Sequence, residues 1–171
     1  MRVNRRTAYA AFTWVMVFLA WHVVWAVTGL EFPTPSDHQG TERVLAELST
    51  AVVLTMVVVG ILVPVALARP WGRRIPRWML VSAAWAGCVL LGGRGLIGVA
   101  DSLGRATGIL PRGLTGLTTA QVMGTGHPSA WALFAGGATD VLFVIGGLAF
   151  GLAALGYQRL SPARTARSAT G

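Results

Sequence analysis

The chain has 171 residues, 54% of them hydrophobic and only 12% charged, with a mean hydropathy of +0.62. A soluble domain carries about twice that charge fraction, so a chain of this make-up buries its apolar surface in lipid rather than around an aqueous core. The net charge of +8 comes from fourteen arginines and no lysine. Because the arginines gather at the ends of apolar runs, they point to membrane topology and contact with anionic lipid, and away from nucleic acid.

Three arginines lie in Met1–Arg6, and an apolar run follows from about residue 8 to 30. That run is too long for the apolar core of a cleaved signal peptide, about 7–15 residues. It also carries Trp14, Trp21 and Trp25, so it reads as a first transmembrane helix. Glu31–Arg43 is polar, with two prolines, and reads as a loop. The second run spans about 44–68, with Glu47 as its one charge and Pro64 near its end, where a kink is expected. A short basic loop, Arg69–Arg77, leads to the third run, about 78–100, interrupted by Arg94. The fourth run, about 131–157, is interrupted by Asp140. Each run exceeds the roughly 20 residues that cross a bilayer core.

Between the third and fourth runs, residues 101–130 are rich in Gly and Thr and too broken to span. A loop of that length serves either as a lid or binding loop or as a passive connection, and Thr115–Met123 suits a short interfacial helix. Residues 161–171 form a small, polar, basic tail expected to be disordered in the cytoplasm. The fold expected is therefore all-α: a polytopic four-transmembrane-helix bundle, residues 1–160 making one domain. The exclusive use of Arg reads as the codon bias of a GC-rich bacterium, which makes the bacterial cytoplasmic (inner) membrane the expected location.

Charge sets the orientation. The N-terminus holds three arginines, the Arg69–Arg77 loop four and the tail after Tyr157 three, against Arg43, Arg105 and Arg112 in the other two loops. The basic excess marks the cytoplasmic side, so both ends lie inside. Tyr9, Trp71, Trp78 and Tyr157 then fall near one interface, and Trp25 and Trp131 near the other.

Four ionisable residues interrupt the runs: His22, Glu47, Arg94 and Asp140. At about 1.5 Å of rise per residue, all four fall in the outer half of the membrane, with Asp140 nearest the midplane. Asp140 shares a helical stripe with Gly136, Gly147 and Gly151, and Arg94 with Gly87, Gly98 and Asp101. Small-residue stripes are where membrane helices pack closely, so Arg94 and Asp140 are expected to face the bundle interior. One account is a structural ion pair, Arg94 with Asp140 or with Glu47. The other is a polar-floored pocket walled by Phe18, Trp21, Trp25 and Trp85, in which His22 and Asp140 exchange a proton or Arg94 holds an anionic head group. A metal site built from His22, Glu47, Asp140, His38 and His127 lacks any HxxxH or HExxH spacing, so no metal is expected, and nothing in the chain calls for a cofactor. The single cysteine, Cys88, excludes an intrachain disulfide and a CxxC pair.

The ending of the first run, His22-Val23-Val24-Trp25-Ala26-Val27-Thr28-Gly29, followed by a Pro-containing loop, resembles domain-of-unknown-function family 3995, a set of small bacterial four-helix membrane proteins. The basic turn between the second and third runs is similar to that family's pattern, as is Trp85-Ala86-Gly87 followed by Arg94 and Asp101. The resemblance implies a four-helix membrane fold without an established activity, and it singles out His22, Trp25 and Arg94.

Two functions are then open. The first is a non-enzymatic membrane protein that binds or helps to move a lipid or small amphiphile, or serves as an accessory subunit of an envelope complex. One bundle has little interior volume, so transport would run through a homodimer. The second is a membrane-embedded enzyme acting on a lipid or isoprenoid, with Asp140, Glu47 or His22 as acid/base groups. The features favour the first. The candidate ligand-binding residues are His22, Trp25, Glu47, Arg94 and Asp140.

Overall fold

In lipid a backbone can satisfy its polar groups only within a helix or a closed barrel, and long runs of Ala, Leu, Val and Gly leave the helix as the solution here. The structure, a computed structural model, describes residues 2–28, 40–114, 116, 118 and 127–159. Its regular elements are all helical: α1 (Arg2–Val27), α2 (Gly40–Ala68), a 3-10 turn (Pro70–Arg74), α3 (Arg77–Ala106) and α4 (Ala130–Arg159).

The helices are longer than the apolar runs. α1 begins six residues early and takes in Arg5 and Arg6, and α2 begins at Gly40 rather than near residue 44. α3 continues six residues past Ala100, because the Asp101–Arg105 ion pair one turn apart supports a polar final turn that hydropathy alone would end. Three helices, rather than the four expected, are long and apolar enough among the described residues to cross a membrane: Arg6–Val27, Arg77–Ala106 and Ala130–Arg159. In α2 the apolar stretch among the described residues is Leu54–Ala68, and the first turns of the helix carry Arg43 and Glu47 in an exposed ion pair. Most of the expected interfacial helix at 115–123, all but residues 116 and 118, and the basic tail at 161–171 lie outside the described residues, as does His38.

The outward faces of the helices carry large apolar side chains. Leu54, Val58 and Leu62 are exposed on α2, Val89, Leu96 and Ile97 on α3, and Phe134, Val141 and Ile145 on α4. Patches of this size are a liability in water, and they fit a lipid bilayer around the helices.

The chain divides into two compact units. The first holds α1, α2, the 3-10 turn, the start of α3 and the end of α4. Its core is small and apolar: Ala8, Ala11, Trp14 and Val15 from α1, Val63, Ala66 and Leu67 from α2, Leu80 and Ala84 from α3, and Phe150, Ala153 and Ala154 from α4. Alanines at these positions let helix backbones approach, the means of association left in lipid once the hydrophobic effect is gone. Trp14 fills the remaining space, stacked on Phe18 at 5.2 Å and edge-on to Phe150 at 6.1 Å. Pro64 is fully buried inside α2. It has no N–H for the Gly60 carbonyl one turn back, so that carbonyl loses its helical partner.

The connection from α2 to α3 is tight. Arg69 and Ile75 are extended on either side of the turn, the Arg69 N–H donates to the Val65 carbonyl at 2.9 Å, and the Ile75 N–H donates to the Gly72 carbonyl at 3.2 Å. A β-carbon on Gly72 would fall on the Ala66 carbonyl, so backbone lies directly on backbone. At the other end of the unit, Arg77 donates to the Tyr157 and Gln158 carbonyls at 3.3 and 2.9 Å, and its guanidinium lies 5.6 Å from the Tyr157 ring centroid. Those carbonyls belong to the last turn of α4, where the helix has no donors of its own and a cation is favoured.

Gly72→Ala is therefore expected to destabilise the protein by about 1–3 kcal/mol, the cost of overpacking a filled site. Gly137→Ala, where nothing lies within 4 Å of the new methyl, should instead stabilise it by about 0.5–1 kcal/mol through helix propensity. Thermal unfolding of both variants in the same detergent checks the contrast.

Candidate functional site

The second unit, Ala86–Leu148, pairs the rest of α3 with the first part of α4. Gly92, Gly95 and Gly98 recur along one face of α3 at a spacing of three, and the backbone of α4 lies against them. A β-carbon on Gly147 would stand 2.6 Å from the Gly92 backbone and 3.0 Å from the Cys88 carbonyl. One on Gly95 would stand 2.7 Å from the Asp140 carbonyl, and one on Gly98 would overlap the Asp140 carboxylate. Glycine at 98 thus makes the space that the carboxylate occupies.

Asp140 fills that recess with 11% of its side chain exposed, and Arg94 reaches it from the flank of α3 with 57% exposed. Arg94 Nη1 donates to Asp140 Oδ1 at 2.8 Å. One turn along α4, the Phe143 ring centroid lies 5.5 Å from the Arg94 guanidinium. The neighbouring Thr139 hydroxyl is buried and donates to the Ala135 carbonyl at 2.7 Å, which satisfies it within α4. An uncompensated carboxylate at this depth would cost about 2.5–3.5 kcal/mol even on the lenient insertion scale, and the arginine supplies the compensation. The arrangement is asymmetric: a buried anion fixes one edge of a guanidinium that is otherwise open. Among the described residues Asp140 engages one of its five N–H donors.

A second ion pair sits two turns further along α3. Arg105 Nε donates to Asp101 Oδ2 at 2.7 Å, and Asp101 Oδ1 accepts the Leu114 N–H at 2.5 Å. Gly108 and Gly113 have φ of +71° and +60°, and the Leu110 N–H returns to the Gly104 carbonyl at 3.0 Å. The segment after α3 therefore doubles back on the end of that helix. A β-carbon on Gly113 would strike both Asp101 and Arg105. Hydropathy ends the third run at Ala100 and misses this hook; the signal present in the sequence is Asp101 and Arg105 at i, i+4.

The other candidates belong to the first unit. His22 shares a hydrogen bond between Nδ1 and the Phe18 carbonyl at 2.8 Å. Its ring lies 4.2 Å from Phe18 and 6.1 Å from Trp25, centroid to centroid. With the Trp14–Phe18 stack, these rings form a continuous aromatic ladder along α1 at intervals of four, four and three residues, which is helical spacing. Glu47 pairs with Arg43 at 2.9 Å, both exposed. Of the two pairings open to Arg94 from the sequence, the structure makes the one with Asp140. The expectation that both partners face the interior holds for Asp140, while more than half of Arg94 is exposed, because its long side chain reaches the carboxylate from the side of the helix. Among the described residues no three His, Cys, Asp or Glu side chains gather where they could hold a metal ion.

Fold and site together define an α-helical membrane protein with an arginine–aspartate pair set between two glycine-packed helices. Comparisons with protein-family models, curated proteins and solved structures find no match.

Removing either partner alone is expected to destabilise the protein, since it leaves the other charge uncompensated. The loss should fall below the roughly 3–5 kcal/mol of fully buried pairs, because Arg94 is open on one side. In a double-mutant cycle of Arg94→Met and Asp140→Leu, the double variant should recover stability, with a coupling of about 0.5–3 kcal/mol. Strict additivity in thermal unfolding would mean the pair contributes nothing.

Proposed function

We propose that the chain is a four-helix bundle of a bacterial cytoplasmic membrane, with both termini inside, which binds or helps to move a lipid or small amphiphile at the Arg94–Asp140 pair. The observation that carries this reading is the asymmetry of the pair. The carboxylate is buried against Gly98, the guanidinium is more than half open, and Phe143 lies beside it. A purely structural pair has no need of an exposed guanidinium. An oriented one presents a planar fork suited to a phosphate or carboxylate head group, next to an aromatic ring that suits an acyl chain. His22 and Trp25 on α1 and Glu47 on α2, all in the first unit, stay in the proposal as candidate ligand-binding residues. If the protein moves its ligand across the membrane, it does so as a homodimer, because one bundle encloses too little volume. The resemblance to family 3995 belongs to this reading through His22, Trp25 and Arg94, and adds no activity to it.

The continuous apolar sequence from Val44 to Ala68, broken only by Glu47, supports α2 as the fourth span. The arginines of the N-terminus, the α2–α3 turn and the C-terminal tail support the orientation. A fluorescent protein fused after Gly171 is expected to light up, and a periplasm-dependent phosphatase fused there to stay inactive; the reverse pattern contradicts the orientation.

Mass spectrometry of what copurifies with the gently solubilised protein tests the site. The wild type should retain a specific lipid or small molecule that folded Arg94→Gln and Asp140→Asn variants lose. Retention by both variants sinks the proposal. Bulk lipid alone on the wild type, with variants that unfold at lower temperature, makes the pair structural.

A further inference from the structure

The turn between α2 and α3 offers a second, separate site, in the first unit. Arg69 and Arg74 are exposed at its two ends, and among the described residues neither is engaged by a carboxylate or carbonyl. Arg43, Arg77, Arg94 and Arg105, by contrast, all have partners. Trp71 within the turn and Trp78 just after it are 43% and 70% exposed. The turn is also firmly built: Gly72 rests on the Ala66 carbonyl, and the flanking residues are extended. Arg77 is committed to the carbonyls of Tyr157 and Gln158, which brings the end of α4, with the exposed Arg159 following directly, to the start of α3.

Among the described residues no carboxylate pairs with this basic cluster. No Asp or Glu occurs between Glu47 and Asp101, and none follows Asp140. Glu47 is on the same helix as the turn, 22 residues before Arg69, which is about 33 Å at 1.5 Å per residue. That is several times the screening length of about 8–10 Å in physiological salt. Among the described residues no anion balances Arg69, Arg74 and Arg159, which leaves them open to one from outside the protein. The turn joins two apolar helices and exposes two tryptophans, so it lies where the hydrocarbon meets the head groups. We infer that the Arg69–Trp78 turn is a docking surface for the head groups of anionic phospholipids, with Arg69 and Arg74 binding phosphate and Trp71 and Trp78 seated at the interface. This site is independent of the Arg94–Asp140 pair.

The test uses the full chain in a mild non-ionic detergent, titrated with phosphatidylglycerol, with phosphatidylcholine and with inorganic phosphate, and bound lipid counted by native mass spectrometry. The wild type should bind phosphatidylglycerol in preference to phosphatidylcholine, less so as salt is raised, and should bind inorganic phosphate far more weakly. Arg69→Gln and Arg74→Gln should each weaken phosphatidylglycerol binding about fivefold, and together roughly thirtyfold. Arg112→Gln, which removes an exposed arginine of the other unit, should leave it unchanged. The readout is the loss caused by the Arg69 and Arg74 variants, so failure at Arg94 in the copurification experiment leaves this inference standing, and the converse also holds. Equal binding of the two phospholipids overturns it, as does a folded double variant that binds phosphatidylglycerol as the wild type does. Inorganic phosphate binding as tightly as the lipid also overturns it, because the site would then recognise a free anion rather than a membrane surface.

Discussion

A carboxylate set among apolar residues has to be surrounded before the helix that carries it can settle in lipid, and the second unit is organised by that demand at Asp140. The requirement runs in both directions across the helix pair. Gly98 must lack a side chain so that the carboxylate has somewhere to lie, and Gly95 and Gly92 must lack one so that α4 can come close enough to put it there. Arg94 must then reach around from the flank of α3, since the space on the contact face is already taken by backbone. Glycine packing and ion pairing act here as one device: close approach excludes lipid from the carboxylate, and the guanidinium supplies the charge that exclusion would otherwise leave unbalanced.

The first unit solves the association problem by other means. Its helices meet through alanines and a few large rings, and none of its described buried residues is charged. Arginines are kept to its edge, where one is used on the open carbonyls of α4 and others face outward. The two units thus differ chemically along the length of the same two helices, α3 and α4. The charged residues that interrupt these helices fall in the second unit, and the surface arginines that precede α3 and close α4 fall in the first.

Much of this was legible in the sequence, and what was missed has a physical cause. The apolar runs located α1, α3 and α4, because a residue's hydropathy acts through solvent alone and needs no knowledge of neighbours. The stripes shared by Arg94 with Gly98, and by Asp140 with Gly147, marked the faces along which α3 and α4 meet, since helical periodicity converts spacing directly into facing. The partner of Arg94 stayed open between Asp140 and Glu47, because choosing between them requires the relative rotation of helices, which no single run encodes. The end of α3 was misplaced because Asp101 and Arg105 are polar as single residues and helix-stabilising as a pair. The degree to which Arg94 is open was also invisible: a long side chain can satisfy a buried partner without itself being enclosed. The aromatic ladder from Trp14 to Trp25 was present as a list of rings, but its continuity depends on side-chain conformations that spacing permits without requiring.

The bonds from Arg77 to the carbonyls of Tyr157 and Gln158 join residues 80 and 81 positions apart. During synthesis the start of α3 leaves the ribosome long before the end of α4 exists, so this clasp cannot form until α4 is made. Until then Arg77 is one more unspent cation beside the α2–α3 turn. Completion of the last helix withdraws it from the surface and uses it to tie that helix to the basic end of the molecule. The same arginine is thus a surface cation until α4 is made and the cap on the end of that helix afterwards.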